Sequence, residues 1–310
     1  MNISIIIPNY NGEYLLKDNL EKVYQATSTY KLEKAEIIVI DDCSTDDSRS
    51  FLTKFSKTHE NLKVLINEKN LGFAPTVNRG VEAAAGDIII LLNTDVYPEA
   101  NFLEPLLKHF SNEKLFAVGA LDRSVESSGI VLRGRGLGEW KRGFLAHRRG
   151  EVNKSNTLWV SGGSGAFRKT IWEKLGGLNE LYAPFYWEDI DLSYRALKSG
   201  YEILFEPKSV VVHEHEKGAI KGKYSEFKIK TIAYRNQFIF VWENATDFSL
   251  RLSHLVWLPY HFAKALSSSD WAFYLGFFEA LILLPKVIKS SLKYHRQFRL
   301  TDKEVISEKE

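Results

Sequence analysis

The stretch GDIIILLNTDVYP, residues 86–98, decides the fold of this chain. Its apolar part, Asp87–Leu92, is typical of a strand that is covered on both faces, as in a parallel sheet. The strand ends at Asn93-Thr94-Asp95, where two oxygen ligands separated by one residue leave the extended backbone on the same side. We therefore predict a central strand that presents a polar site at its carboxyl end.

Working outward from this strand, short β-branched runs alternate with segments that carry apolar residues at helical spacing. Because each strand is followed by a helix, the expected fold is α/β and Rossmann-like, a mostly parallel sheet with helices on both faces. Ligands of such sheets bind beyond the carboxyl ends of the strands. The predicted strands are Ile3–Ile7, Glu36–Ile40, Leu62–Ile66 and Asp87–Leu92, and the predicted helices are Tyr14–Ala26, Ser48–His59 and Pro75–Ala85.

Polar residues follow the first two predicted strands. In PNYNG, residues 8–12, Tyr10 offers an aromatic face and Asn11 an amide that suit a nucleotide base, although Asn-Gly is also ordinary turn chemistry. In IDDCSTDD, residues 40–47, the carboxylates of Asp41 and Asp42 can accept hydrogen bonds from a base or a ribose. Both loops are candidate nucleotide contacts.

The third loop, NLGFAPTVNRG at residues 70–80, leads into a helix. Gly72 permits close backbone approach, and Pro75 suits a first helical turn. Asn78 and Arg79 would lie one turn into the helix, with Arg79 a candidate partner for a phosphate or for Asp42. An ordinary capped helix explains the same residues equally well.

Carboxylates that could hold a cation or accept a proton occur in two further places. Asp95 is a hard oxygen ligand, and Mg²⁺ or Mn²⁺ fills its other positions with substrate phosphates. In FYWEDIDLSYR, residues 185–195, three acids begin a predicted helix at Glu188–Ser199, where the helix dipole favours them. Their mutual repulsion can raise one pKa toward the range of a general base. His213 could complete a metal shell.

Seven motifs together resemble glycosyltransferase family 2: PNYNG, IDDCSTDD, NLGFAPTVNRG, LLNTDVYP, VSGGSGAFR, FYWEDIDLSYRALKSGY and VVVHEH. They occur in that family's order and spacing and cover about residues 2–216. The resemblance implies a GT-A fold, a nucleotide diphosphate sugar donor, a divalent cation and inversion at the anomeric carbon. It is closest to rhamnosyl- and galactofuranosyltransferases of bacterial surface polysaccharides.

The resemblance also assigns roles to positions of this chain. Asp189 matches the catalytic base, with Glu188 beside it, and Asp95 and His213 match the metal ligands. Asn93 stands where the family often has an acid, so Asp95 is the chief ligand. Donor contacts are implied for Pro8, Tyr10, Asn11, Asp41, Asp42, Gly72, Asn78, Arg79, Asn93, Thr94 and Asp95. Acceptor contacts are implied for Gly162, Gly163, Ser164, Trp187 and Asp191.

From about Tyr224 the pattern changes to long helices, which predicts a catalytic domain at residues 1–223 and a helical region at residues 224–310. The apolar stretch Trp271–Pro285 is shorter than a membrane-spanning helix and is followed by five bases without an acid. We expect a helix lying on an anionic membrane surface, useful for a lipid-linked acceptor. Packing against the catalytic domain is the alternative.

Composition sets further bounds. Of the 310 residues 45% are hydrophobic and 26% charged, as in globular proteins, and the net charge of +2 gives no reason to expect nucleic acid. The single cysteine, Cys43, excludes an intramolecular disulfide and fits a reducing compartment. Because Ile3–Ile7 resembles a strand and not a signal peptide, we expect a cytoplasmic protein, peripheral on the inner face of the plasma membrane.

Three other functions are alternative interpretations of the sequence. A processive polysaccharide synthase would need several membrane-spanning helices and a Q-x-x-R-W motif, and a nucleotide-dependent oxidoreductase would need G-x-G-x-x-G after the first strand. The chain contains neither motif. A non-catalytic nucleotide-sugar-binding or scaffold protein stays open, although the presence of Asp95 and Asp189 argues against it.

Overall fold

The computed structural model describes residues 1–28, 35–127, 129–213 and 224–307. Its strands are β1 (Ile3–Asn9), β2 (Ala35–Asp41), β3 (Leu62–Ile66), β4 (Ile88–Leu92), β5 (Val96–Pro98), β6 (Leu115–Glu126), β7 (Gly129–Arg133), β8 (Gly136–Lys141), β9 (Phe144–Arg149), β10 (Ser164–Arg168) and β11 (Glu202–His213). Its helices are α1 (Glu13–Ser28), α2 (Ser48–Phe55), α3 (Phe73–Ala83), α4 (Leu103–Leu107), α5 (Lys169–Leu175), α6 (Glu188–Lys198), α7 (Glu226–Asn244), α8 (Phe248–Ser267), α9 (Trp271–His295) and α10 (Asp302–Ser307).

One large sheet organises the molecule, with the strand order β3-β2-β1-β4-β10-β6-β11-β5 and β7 paired to β6. The first four strands in this order are parallel, which confirms the predicted α/β sheet. β10 runs antiparallel between β4 and β6, and β11 is parallel to β6 but antiparallel to β5. The result is a mostly parallel sheet, with an antiparallel insertion beside its central strand.

Alternating side chains of the sheet enter two hydrophobic cores, as the two-residue period of a strand requires. Ile88, Ile90 and Leu92 of β4 pack with α1, α2 and α4. Ile89 and Leu91 face the other way, toward α3, α5, α6 and the C-terminal helices. The predicted covering of both faces is therefore confirmed.

Two segments are more regular than their sequences indicate. The Gly/Arg-rich stretch Gly129–Arg149 has the poor periodicity of a long loop or a short hairpin, and it contains β7 as well as the hairpin β8–β9. The sequence pattern of two separate strands, Glu202–Phe205 and Val210–His213, belongs to the single strand β11, which has a register irregularity between Glu206 and Val210. Because this irregularity breaks the alternating pattern, the sequence indicated an interruption there.

The C-terminal helices pack on the α/β body through buried polar contacts as well as apolar ones. Asp191 of α6 accepts hydrogen bonds from Asn244 Nδ2 of α7 (2.7 Å) and from Tyr182 Oη (3.2 Å), and it pairs with Arg195 Nε at 2.7 Å. Tyr182 also contacts Glu243 of α7, whose pKa is raised to about 8 by burial and by the charge of Asp191. The helical region is thus joined to the catalytic half by a buried network.

Helix α9 extends well beyond the apolar stretch noted in the sequence. It runs for 25 residues, through Pro285 to His295, and is therefore about 37 Å long. The prediction that this segment is too short to span a membrane was wrong for the helix as a whole, since its length and composition would suffice. The predicted domain boundary lies after residue 223. It adjoins residues 214–223, which lie outside the described residues and include Glu214 and His215 of the VVVHEH motif.

Candidate active site

A cleft of about 470 Å³ opens where β1, β2 and β4 end, and all seven motifs contribute residues to its wall. The predicted site residues that line it are Pro8, Tyr10, Asp42, Gly72, Asn93, Thr94, Asp95, Gly162, Gly163, Glu188, Asp189 and His213. Asp95 and Asp189 therefore face one shared space. The predicted residues outside the wall are Asn11, Asp41, Asn78, Arg79, Ser164, Trp187 and Asp191.

Asp42 shapes the part of the cleft beside β2. Its buried carboxylate accepts hydrogen bonds from Asn67 Nδ2 at 2.7 Å and from the backbone N–H groups of Leu71 and Gly72 at 2.8 Å. Gly72 has a φ of 86°, which favours glycine, and this allows the backbone to turn toward the carboxylate. Asp42 thus holds the third loop against the end of β2.

Asp41 and Asn11 connect the first two loops and lie behind the cleft wall. Asp41 is fully buried and accepts hydrogen bonds from Asn9 Nδ2 (3.0 Å), the Ser44 N–H (3.0 Å) and Arg49 Nε (2.9 Å). Asn11 Oδ1 accepts from the Thr45 N–H at 2.7 Å. These contacts fix the loops, so the structure gives both residues a supporting position in place of the predicted direct nucleotide contact.

Asn78 and Arg79 also have their polar groups engaged within the protein. The Asn78 amide pairs with the backbone N–H and carbonyl of Leu178, at 2.9 and 2.8 Å. Arg79 Nη1 donates to the Ile66 carbonyl at 2.7 Å and to Asn67 Oδ1. Arg79 therefore reaches Asp42 only through Asn67, and the expected direct pair is not formed.

Three predicted acceptor residues lie in the protein interior. Trp187 is only 6% exposed and packs against Phe240 of α7 and His147 of β9. Asp191 is fully buried in the network with Arg195, one helical turn away. Ser164 is a buried residue of β10 paired with Leu92. We leave these side chains out of the acceptor site because a substrate cannot reach them without repacking the core.

Asp189 and Glu188 form a pair of carboxyl groups on the cleft wall, of which Glu188 is buried and Asp189 is partly exposed. Asp189 accepts hydrogen bonds from the N–H groups of Ile190 (2.8 Å) and Gly162 (3.3 Å). Burial raises the pKa of Asp189, although these two N–H groups act against the increase. Burial and the charge of Asp189 raise the pKa of Glu188 to about 8. The raised pKa favours the protonated form of Glu188 over a second negative charge beside Asp189.

Asp95, His213 and Asp122 form a connected row: Asp95 lies between β4 and β5, His213 ends β11 and Asp122 lies within β6. His213 Nε2 lies 3.3 Å from Asp95 Oδ2, and His213 Nδ1 lies 3.0 Å from Asp122 Oδ2. Burial alone would lower the pKa of His213, but hydrogen bonds to Asp122 and Asp95 raise it to about 9. Asp122 also fixes the ring orientation, so that Nε2 is the nitrogen that faces Asp95 and the cleft.

This row fits a divalent cation that takes two ligands, Asp95 and His213, from the described residues. Neighbouring ligands of an octahedral cation at about 2.1 Å stand roughly 3 Å apart, close to the Asp95–His213 separation. A carboxylate on the second histidine nitrogen is the usual outer partner of a metal-bound histidine. Across the described ranges no group of three or more His, Cys, Asp or Glu side chains could hold an ion by itself. Substrate phosphate and water would have to fill the other positions.

The backbone before Glu188 has an unusual conformation that the sequence did not reveal. Tyr186 and Trp187 are consecutive non-glycine residues with φ of 72° and 78°, a left-handed conformation that costs energy and persists only when neighbours enforce it. Asn236 of α7 enforces it, because its Nδ2 donates to the carbonyl groups of Tyr182, Phe185 and Tyr186 at 2.8, 3.0 and 2.9 Å. The C-terminal region thereby positions the carboxyl pair.

We expect Asn236→Leu to lower kcat about tenfold to hundredfold, because three carbonyl groups lose their buried donor and the segment before Glu188 relaxes. Donor affinity should change less than about threefold, since the residues near Asp42 are untouched. Gln237→Leu, at the next position of α7, is the matched control. Kinetics with saturating donor, together with the unfolding temperature, check this prediction. Equal losses of donor affinity and kcat would instead indicate a general folding defect.

Other residues of the cleft were also missed. Asn9 is the last residue of β1 and lines the wall, and its buried Oδ1 has no hydrogen-bond partner in the described part of the chain. Phe73, Thr76, Tyr186 and Tyr224 contribute further surface. Asn9 could have been singled out because it precedes Tyr10 at the end of a predicted strand. Nothing in the local sequence around Tyr224 indicates the cleft.

Comparison with known proteins agrees with this arrangement. The model of the family described as "Glycosyl transferase family 2" matches residues 4–176, more than half of the chain. The chain belongs to glycosyltransferase family 2. The matched residues include the loops that carry Asp42, Asp95 and Gly162, whereas Glu188, Asp189 and His213 lie beyond them. The predicted resemblance is confirmed.

Curated relatives in family 2 come from bacteria and archaea. The O-antigen chain rhamnosyltransferase WbaN of Salmonella anatum is 23% identical over 218 residues, covering 69% of this chain and 66% of WbaN. The glycosyltransferase AglE of Haloferax volcanii is 31% identical over 119 residues, which are 38% of each protein. The chain thus matches less than two thirds of the length of these relatives.

Solved structures share the fold at low identity. The mannosyltransferase PcManGT of Pyrobaculum calidifontis, in complex with GDP-Man and Mn²⁺, has a TM-score of 0.58 at 19% identity, over 95% of this chain and 82% of that one. TarS 1–349 of S. aureus, in complex with UDP-GlcNAc, has a TM-score of 0.61 at 16% identity, over 99% and 89%. This likeness shows that the family 2 chain has the GT-A architecture.

Proposed function

We propose that this protein transfers a sugar from a nucleotide diphosphate sugar to a hydroxyl group of a glycan or lipid-linked acceptor, with inversion at the anomeric carbon. A role in bacterial cell-surface polysaccharide synthesis, on the inner face of the plasma membrane, is part of the proposal. The observation that carries it is the shared cleft, in which the Asp95–His213 pair and the Asp189 carboxylate face the same space. WbaN, named as an O-antigen rhamnosyltransferase, supports the polysaccharide role.

The nucleotide is assigned to the side of the cleft formed by Pro8, Tyr10, Asp42 and Gly72. Tyr10 offers a ring for the base, and Asp42 keeps acceptor capacity for a base N–H or a ribose hydroxyl besides its bonds to the third loop. Related structures bind UDP-GlcNAc or GDP-Man, which supports a nucleotide diphosphate sugar as the donor class.

Asp95 and His213 would hold Mg²⁺ or Mn²⁺ beside the diphosphate, with Asp122 orienting the histidine. When bound, such a cation neutralises the charge that develops on a leaving diphosphate. Mn²⁺ in the PcManGT complex and in the GalNAc-T7 complex supports this proposal. In this chain Asp95 directly precedes β5, and Val96 of β5 pairs with His213 of β11, so the sheet itself fixes the separation of the two ligands.

Asp189 is proposed as the general base. Its carboxylate takes the proton of the acceptor hydroxyl, the oxygen forms a bond to the anomeric carbon, and the bond from that carbon to the diphosphate oxygen breaks with both electrons staying on the nucleotide. Attack from the face opposite the leaving group inverts the configuration. The N–H groups of Gly162 and Ile190 orient the carboxylate, and protonated Glu188 keeps the pair from carrying two charges.

A panel of UDP-, GDP-, dTDP- and CMP-sugars tests the proposal through donor binding and release of free nucleotide, with Mg²⁺ or Mn²⁺ present. The expected result is binding of one donor class and slow release of the nucleotide, accelerated by the correct acceptor. A non-catalytic nucleotide-sugar-binding protein would bind a donor and release no nucleotide with any acceptor tried. Absence of binding to every donor would reject both functions.

A further inference from the structure

Helices α8 and α9 expose large apolar side chains to solvent. Phe248 is 78% exposed and Ile282 is 77% exposed, so neither side chain belongs to the hydrophobic core. On α8 the set comprises Phe248, Leu252, Leu255, Val256, Trp257, Tyr260 and Leu266. On α9 it comprises Trp271, Leu275, Phe278, Leu281, Ile282, Ile288 and Leu292. Exposed apolar side chains in this number on two consecutive helices indicate an interaction surface.

The exposed residues recur at helical spacing, so each helix has one outward apolar face. On α9 the positions 271, 275, 278 and 282 follow the pattern i, i+4, i+7 and i+11. Its opposite side carries Ala272, Gly276, Ala280 and Val287, which are buried against the protein body, and a Cβ at Gly276 would collide with the backbone of α7. Because one side of α9 is packed against the protein body, its free side is the part that a bilayer can contact in this arrangement.

The charges around these faces have one sign. The exposed bases of the segment are Arg251, Lys264, Lys286, Lys289, Lys293 and Arg296. The only acids between residues 248 and 296 are Asp270 and Glu279, and both are paired, with Lys230 at 2.8 Å and Lys228 at 2.9 Å. The segment therefore presents apolar side chains bordered by cations that pair with no acid among the described residues, which complements an anionic surface.

Aromatic residues with polar edges add to this pattern. Arg142, in the turn between β8 and β9, donates from Nη1 to Tyr260 Oη at 2.8 Å and lies over the rings of Tyr260 and Trp257. Trp271 is exposed at the beginning of α9. Tryptophan and tyrosine prefer the boundary between lipid and water. The β8–β9 turn is thus fastened to the same part of α8 that carries these rings.

We propose that the outward faces of α8 and α9 form a surface on which the protein rests on an anionic lipid bilayer. The apolar side chains enter the boundary between headgroups and acyl chains, and the surrounding lysine and arginine side chains contact lipid phosphates. A second copy of this chain fits less well, because a symmetric dimer through this face would bring cations of both subunits together without acids to neutralise them. This surface is separate from the cleft and does not depend on the proposed reaction.

The test measures binding of the full chain to vesicles of phosphatidylcholine alone and with about 30% phosphatidylglycerol, at low and high salt. We expect binding to the anionic vesicles that weakens with salt. Ile282→Glu should weaken it at least about tenfold, because an apolar contact becomes an acid at the lipid boundary. The triple change Lys286→Gln, Lys289→Gln and Lys293→Gln should weaken it by about two orders of magnitude.

The control is Ile130→Glu on β7, an apolar side chain that is 66% exposed outside the two helices, and it should bind like the wild type. All substitutions are on the surface, so the unfolding temperature should stay unchanged and release of nucleotide from a soluble donor should be retained. Failure of the wild-type protein to bind anionic vesicles would overturn the proposal. A dimer in solution that Ile282→Glu dissociates, with vesicle binding unaltered, would overturn it in favour of a second copy.

Discussion

Asp189→Asn is expected to lower kcat by about 10²–10⁴-fold, the usual contribution of a positioned general base. The amide keeps the size of the carboxylate and its place near the N–H groups of Gly162 and Ile190, but it cannot accept the proton of the acceptor hydroxyl. Donor affinity should change only a few-fold, because Asp189 acts on the acceptor side. Single-turnover rates at saturating donor, measured beside the donor dissociation constant, check this expectation.

Glu188→Gln is the matched control, since glutamine resembles the protonated form of Glu188 that its pKa of about 8 predicts at neutral pH. Its kcat should fall much less than that of Asp189→Asn. Because burial raises the pKa of Asp189, wild-type activity should decline as the pH falls through that pKa, and Asp189→Asn should lose this acid limb. Full activity of Asp189→Asn would remove Asp189 from the chemistry and require another base.

Removal of divalent cations is expected to abolish transfer, and added Mg²⁺ or Mn²⁺ should restore it. Asp95→Ala should have the same consequence even at high metal concentration, since it removes one of the two ligands that the protein offers. Asp122→Asn should weaken the apparent metal affinity about 10- to 100-fold and recover at high metal, because Asp122 only orients His213. Metal titration of the transfer rate, together with binding of Mn²⁺ without substrate, measures these differences.

Undiminished transfer in excess chelator would contradict the proposed metal site. Binding of Mn²⁺ by Asp95→Ala as strong as by the wild type would place the ion elsewhere. Lys108→Ala removes an exposed cation that pairs with Glu206 at 3.0 Å, outside the cleft residues, and serves as the unaffected control.

The sequence predicts those parts of the fold in which the amino-acid composition of a segment matches its burial in the structure. Ile88–Leu92 is apolar throughout because β4 is buried on both faces, so the strand and the polar residues after it could be recognised. β10 was missed because Ser164 and Gly165 resemble a loop, although this strand pairs with both β4 and β6. Its place in the sheet depends on neighbours that are distant along the chain.

Of the residues predicted after the second and fourth strands, Asp42 and Asp95 line the cleft, whereas Asp41 lies behind its wall. In helix α6, Asp189 was predicted as the base and Asp191 as an acceptor contact, but Asp191 pairs with Arg195 in the core, whereas Asp189 lines the cleft. The contribution of Asn236 could not be predicted, because its three carbonyl partners are about 50 residues earlier in the chain. Such long-range hydrogen bonds leave no periodic pattern.

The contacts between α7 and the segment before Glu188 limit which chimeras of this protein and its relatives can keep that segment in place. A chimera could exchange residues 224–307 for those of another family member. Unless that segment had an asparagine at the position of Asn236, the backbone carbonyl groups of Tyr182, Phe185 and Tyr186 would lose their hydrogen-bond donor. It would also need partners for Tyr182 and Asp191, now supplied by Glu243 and Asn244. The C-terminal helices and the segment that carries Glu188 and Asp189 therefore have to come from the same parent protein. A crossover at the start of α7 would separate residues that depend on each other.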